Sequence, residues 1–136
     1  MLKEFPRQQR PLDWAMAQSN LGNALAWLAE RDPGVGRMED AIHSYEEALQ
    51  ECTYERAPMQ WAMIENNLAG ALLRLGEREN GTARFEAAVI TYNNALSVFV
   101  TASAIYYVEA CWENRDRAIA LIAERRQARE DGPVAA

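Results

Sequence analysis

The chain has 136 residues, the size of one ordinary domain, with 49% hydrophobic and 25% charged residues, a balance that fits a folded domain rather than a disordered one. Fourteen basic against 20 acidic residues leave a net charge of -6, with pI about 4.8, which disfavours a general nucleic-acid surface. One histidine, His43, and two cysteines, Cys52 and Cys111, offer no clustered zinc ligands, and no local motif supports a Cys–His catalytic pair.

In chain order, residues 1–15 hold no apolar stretch of signal-peptide length, and no later run approaches a membrane span. Together with two thiols that form no disulfide framework, this places the expected chain in the cytoplasm, with no membrane partner. Residues 2–10 align one repeat before the end of a second helix, so they read as the tail of an incomplete upstream repeat covering 1–10. The apolar spacing of Trp14, Leu21, Ala24, Leu25 and Leu28 predicts a helix over 12–31, with Asp13 as its N-cap. Met38, Ala41, Ile42, Tyr45, Ala48 and Leu49 predict a second over 36–52. Further helices are expected at 59–77, 82–100 and 104–129. Asp32-Pro33-Gly34 and Glu79-Asn80-Gly81 break the helical pairs, while Pro11 and Pro58 mark unit boundaries. No segment alternates with period two, so the expected fold class is all-α.

The strongest signal is an internal repeat of 47 residues. Pro11, Trp14, Ala15 and Met16 fall on Pro58, Trp61, Ala62 and Met63. Over columns 11–49 there are 18 identities without a gap, among them Asn20/Asn67, Leu28/Leu75, Arg31/Arg78, Tyr45/Tyr92 and Ala48/Ala95. Asn114, Ala118, Glu124 and Arg125 continue the frame as a half-copy. A period of this size is the signature of stacked helical units. The units run 11–57 and 58–103, followed by a capping helix at 104–130 and a tail at 131–136 that is expected to fray.

Ala41-x-x-x-Tyr45-x-x-Ala48 and Ala88-x-x-x-Tyr92-x-x-Ala95 follow Asn20-Leu21-Gly22-Asn23-Ala24-Leu25 and Asn67-Leu68-Ala69-Gly70-Ala71-Leu72. This pattern resembles the tetratricopeptide (TPR) repeat, in a long-helix variety similar to kinesin light chains and bacterial TPR arrays. Its unit is longer than the usual ~34 residues. The resemblance implies a right-handed α-solenoid of helical hairpins with a concave face lined by the first helix of each hairpin, used to bind peptides or partner proteins without a cofactor. It would place Met16, Ser19, Asn20 and Asn23 on that face in the first unit, Met63, Asn66, Asn67 and Gly70 in the second, and Glu113, Asn114 and Arg117 in the cap. Such a groove is rich in amides and lacks the Lys/Arg set of a carboxylate clamp, which disfavours chaperone tails.

The row Asn20, Asn67 and Asn114 has two readings: amides that bond the backbone of an extended segment, or stitches between helices. Trp14 and Trp61 are expected to pack between hairpins, and Trp27, matched by Arg74, to be an exposed contact residue. Glu46-Glu47, Glu30-Arg31 and the last helix's arginines (Arg115, Arg117, Arg125, Arg126, Arg129), interleaved with Glu113, Asp116, Glu124 and Glu130, are expected to be solvated faces. The expected function is a non-catalytic, metal-free scaffold for protein–protein interaction. A self-assembling module, with a homodimer formed through the uncapped N-terminal end, or the C-terminal part of a longer array, is the alternative.

Overall fold

The structure, a computed structural model, describes residues 6–132. They form α1 (Pro11–Ala29), α2 (Gly36–Glu51), α3 (Pro58–Arg78), α4 (Ala83–Thr101) and α5 (Ile105–Glu130), with no strand among the described residues. Each helix begins and ends within two residues of its expected bounds. Pro11 and Pro58 sit at the first helical position, where the missing N–H has no intrahelical partner to lose. The N-cap of α1 is Arg10, not Asp13. Asp13 lies inside the first turn and pairs with Arg10 at 2.6 Å, so it serves the helix dipole rather than the cap.

Helices α1 and α2 pack together, as do α3 and α4; α2 also packs on α3 and α4 on α5, while α1–α3 and α3–α5 meet only lightly. The core is one continuous cluster. Tyr45 and Tyr92 occupy equivalent places and are 2% and 1% exposed. Trp14 and Trp61 are half-buried against the same cluster. The close approach of α1 to α2 depends on Gly22, where a Cβ would come within 2.7 Å of the Tyr45 ring. Gly76 does the same for Phe85, also at 2.7 Å. In the first unit the corresponding columns hold Ala29 and Met38, so the larger ring of Phe85 is matched by the loss of a methyl on the facing helix.

The repeat extends into the turns. Residues 6–10 fold as residues 53–57 do: the Arg10 N–H donates to the Pro6 carbonyl at 2.8 Å and the Ala57 N–H to that of Thr53 at 3.0 Å. Residues 6–10 are thus a turn and not a helix end; the rest of the expected helical tail, residues 1–5, lies outside the described residues, as do residues 133–136 of the expected frayed tail. The two helix-breaking glycines differ. Gly81 takes a left-handed φ of 84°, whereas at Gly34 the turn is closed by Asp32 Oδ1 accepting from the Gly34 N–H at 2.9 Å.

Two arginines tie successive units together. Arg78 donates from one nitrogen to the carbonyls of Asp32 and Gly34, at 3.0 and 2.8 Å, and from the other to Ala29 at 2.7 Å. Forty-seven residues later, Arg125 donates to the carbonyls of Gly76 and Gly81 at 2.8 and 2.6 Å. Each guanidinium satisfies free carbonyls at the C-terminal end of the previous first helix and in the turn that follows. Arg125 is therefore half-buried structure and not the solvated charge its sequence context implied, and it also stacks 4.5 Å over Phe85. Arg31, in the same repeat column, folds 3.8 Å over Trp27 instead.

Candidate functional site

A groove of about 570 Å³ runs across α1, α3 and α5. Its walls come from Asn23 and Trp27 on α1 and Glu30 just past its end, Asn66, Asn67, Gly70, Arg74 and Glu77 on α3, and Asn114 and Arg117 on α5. Tyr45 and Tyr92 reach it from α2 and α4. These positions meet because residues three and four apart share a helix face: Asn67, Gly70, Arg74 and Glu77 form one stripe of α3.

The charges in the groove are paired between helices. Arg74 on α3 lies 3.3 Å from Glu30, the C-cap of α1, and Arg117 on α5 lies 2.5 Å from Glu77 on α3. Glu30 and Glu77 are repeat equivalents, each held by an arginine of the next first helix. Two cations facing two anions leave the groove without a net charge. Its remaining polar groups are amides and hydroxyls. The Tyr45 hydroxyl donates to Asn23 Oδ1 at 2.6 Å, and the Cys111 thiol to Asn66 Oδ1 at 3.1 Å. Asn67, Asn114 and the Tyr92 hydroxyl make no hydrogen bond within the described residues. Burial pushes the hydroxyls of both tyrosines up to about 12, against the opposing charge of Arg74. Both therefore remain protonated at neutral pH, so the Tyr45 hydroxyl donates to Asn23 and that of Tyr92 has a proton to give.

Of the expected site residues, Asn23, Asn66, Asn67, Gly70, Asn114 and Arg117 line the groove. Met16, Asn20, Met63 and Glu113 are exposed outside it. Ser19 is buried, because it falls on the core stripe of α1 with Ala15, Gly22 and Ala29. The groove also sits further along the first helices than expected, so it takes in Trp27, Glu30, Arg74 and Glu77. Of these only Trp27, 56% exposed, was marked in the sequence as a contact residue. Glu30 had the look of an ordinary solvated charge; the cue to its position was its spacing of seven residues from Asn23.

Cys52 and His43 do not line the groove, whereas Cys111 lies behind its wall, bonded to Asn66 and near enough to Tyr92 to act on its hydroxyl. Cys52 and Cys111 are both buried and free. Burial raises Cys52 and pushes Cys111 up to about 11, with Arg115 opposing. His43 lies exposed beside Glu47 at 3.5 Å. No group of three or more His, Cys, Asp or Glu among the described residues is placed to hold a metal ion, and no described helix is long and apolar enough to cross a membrane. What the site offers is hydrogen-bond donors and acceptors on a neutral, partly aromatic surface.

Compared with known proteins, the chain matches no family model, no curated protein and no solved structure.

Proposed function

We infer that the chain is a TPR-like α-solenoid module that binds an extended protein segment in the groove across α1, α3 and α5, without catalysis. The observation that carries this reading is the pair of unpartnered amides, Asn67 and Asn114, one repeat apart on neighbouring helices in that groove. Neighbouring helices stand about 10 Å apart. An extended chain presents an N–H and a C=O about every 3.3 Å, so every third residue meets an amide that can both give and accept. The balanced pairs Arg74–Glu30 and Arg117–Glu77 favour a main-chain ligand over a highly charged one. The 47-residue frame that recurs in turns, buried tyrosines and arginine ties supports the solenoid reading. Two buried free thiols fit a cytoplasmic setting.

The test is selection of linear peptides on the whole chain, followed by affinity measurements on variants. Asn67→Ala and Asn114→Ala should each weaken the selected peptides about fivefold or more while leaving the fold intact, the scale of one lost hydrogen bond. Selected peptides that bind both variants as well as the unmodified chain count against the reading.

A second reading, self-assembly, is favoured by the outer face of α1. Leu21 and Leu28 are 42% and 38% exposed, whereas Leu68 and Leu75 in the same columns of α3 are 7% and 0% exposed. An exposed row of leucines that the repeat elsewhere buries fits a second copy of the chain. Sedimentation would read a dimer that Leu28→Glu dissolves. A chain that stays monomeric at high concentration contradicts this reading.

A further inference from the structure

The two units treat their buried tyrosine differently. In the first, the Tyr45 hydroxyl gives its proton to the carboxamide oxygen of Asn23 at 2.6 Å. In the second, the column of Asn23 holds Gly70, and the Tyr92 hydroxyl has no partner among the described residues although Tyr92 is only 1% exposed. Among the described residues the buried side-chain atom without a partner is Arg115 Nε, not the Tyr92 hydroxyl, so that hydroxyl keeps an opening onto the groove it lines, where a bound group can reach it. A Cβ placed on Gly70 would lie 3.7 Å from that hydroxyl and 3.2 Å from the tip of Arg74, a flexible side chain. The notch at Gly70 thus offers the donor for the group that the first unit builds in for itself, and it gains the room when the Arg74 guanidinium gives by a few tenths of an ångström.

We propose that the notch between Gly70 and Tyr92 takes an asparagine-type carboxamide side chain of the bound segment, whose oxygen accepts from the Tyr92 hydroxyl as Asn23 accepts from Tyr45. This deepens the reading of the groove as a segment-binding site and rests on it. The carboxamide is the matching chemistry on two grounds. It is the native occupant of the same column one repeat earlier. It also offers an N–H₂ to the acceptor oxygens of Asn67 and Asn114, which a carboxylate cannot do. The charge balance points the same way, since Arg74 is already held by Glu30 and by the Gly70 carbonyl, to which it donates at 3.2 Å. The second unit thereby supplies the selectivity, and the unpartnered amides the general affinity for main chain.

The first part of the test needs no ligand. Gly70→Asn should recreate the first unit's pair and raise the melting temperature by more than Gly70→Ala does, although Ala is the better helix former. The excess should vanish when Tyr92 is replaced by Phe, a double-mutant cycle that isolates the hydroxyl. Gly70→Asn no more stable than Gly70→Ala would overturn the vacancy. The second part uses N-acetyl-asparagine N-methylamide, with its aspartate and alanine analogues, titrated into the ¹⁵N-labelled chain. The asparagine probe should shift the Gly70, Ala71 and Tyr92 amides saturably, at least about fivefold more tightly than the alanine probe, and Gly70→Asn should abolish the shifts at Ala71 and Tyr92. Tighter binding of the aspartate probe overturns the carboxamide assignment. If the probes do not discriminate while a selected long peptide still shifts Asn67 and Asn114, the notch fails and the groove stands. If that peptide shifts neither, the groove reading fails with it.

Discussion

Arg78 reaches back to the carbonyl of Ala29 at 2.7 Å, across the boundary between the two units. Arg125 makes the equivalent bond to Gly76 at 2.8 Å. The end of each first helix is thus capped from outside, by a side chain of the next unit, in place of a cap of its own. A charged donor shared among several otherwise free carbonyls makes this a strong polar tie between units.

Removing it should be costly and removing its repeat counterpart should not. Arg78→Met is expected to lower stability by about 1.5–3 kcal/mol in urea unfolding, the range for hydrogen bonds to charged groups. Arg31→Met, whose guanidinium lies over Trp27 and makes no hydrogen bond or ion pair with another unit among the described residues, is expected to stay within about 0.5 kcal/mol. Equal effects at the two positions would mean that the tie carries little energy.

The tyrosines provide a second internal control. Tyr45→Phe removes a donor that Asn23 uses and should cost about 1 kcal/mol. Tyr92→Phe removes a hydroxyl with no protein partner and should be close to neutral in the free chain. Thermal unfolding of the two variants side by side decides this.

Close approach of helices sets a third expectation. Gly22→Ala forces a methyl into the Tyr45 ring and should cost about 1–3 kcal/mol by overpacking. Gly36→Ala, at the start of α2 with open space around it, should instead stabilise by roughly 0.5–1 kcal/mol. Denaturant midpoints with unchanged slopes check both.

A fourth concerns pH. Glu65 is buried on α3, and that burial raises its carboxyl above the usual range, opposed by a hydrogen bond from Asn94 at 3.3 Å. A carboxyl with a raised folded-state pKa favours the native state while protonated. That contribution is present in full below the unfolded value of about 4.5 and is lost as pH rises through the folded value. Glu65→Gln should therefore be more stable than the parent at pH 7, with the difference closing as pH falls through the raised folded value and no longer changing below about 4.5. A difference that does not change with pH would contradict this.

The helices were legible because their punctuation is local. Prolines at Pro11 and Pro58 and the Gly-containing breaks fix the ends, and the 3-and-4 spacing of Met38, Ala41, Ile42 and Tyr45 fixes the buried face of α2. Asn23, Asn66, Asn67, Gly70, Asn114 and Arg117 were legible as groove residues because the repeat aligns successive first helices. The longitudinal position of the groove was not, since it depends on how α1, α3 and α5 lie relative to one another. Period alone could have removed Ser19, which stands four residues after buried Ala15. The roles of Arg78 and Arg125 were hidden for another reason: they act on backbone carbonyls of another unit, and a backbone partner leaves no mark on residue identity.

The central claim is that an extended segment lies in the groove across α1, α3 and α5. The most direct measurement is the chemical-shift map of a selected linear peptide on the labelled chain. The account predicts saturable shifts at Asn66, Asn67, Gly70 and Asn114, with the outer surfaces of α2 and α4 unchanged. Shifts confined to those outer surfaces, with Asn67 and Gly70 silent at saturation, would contradict it.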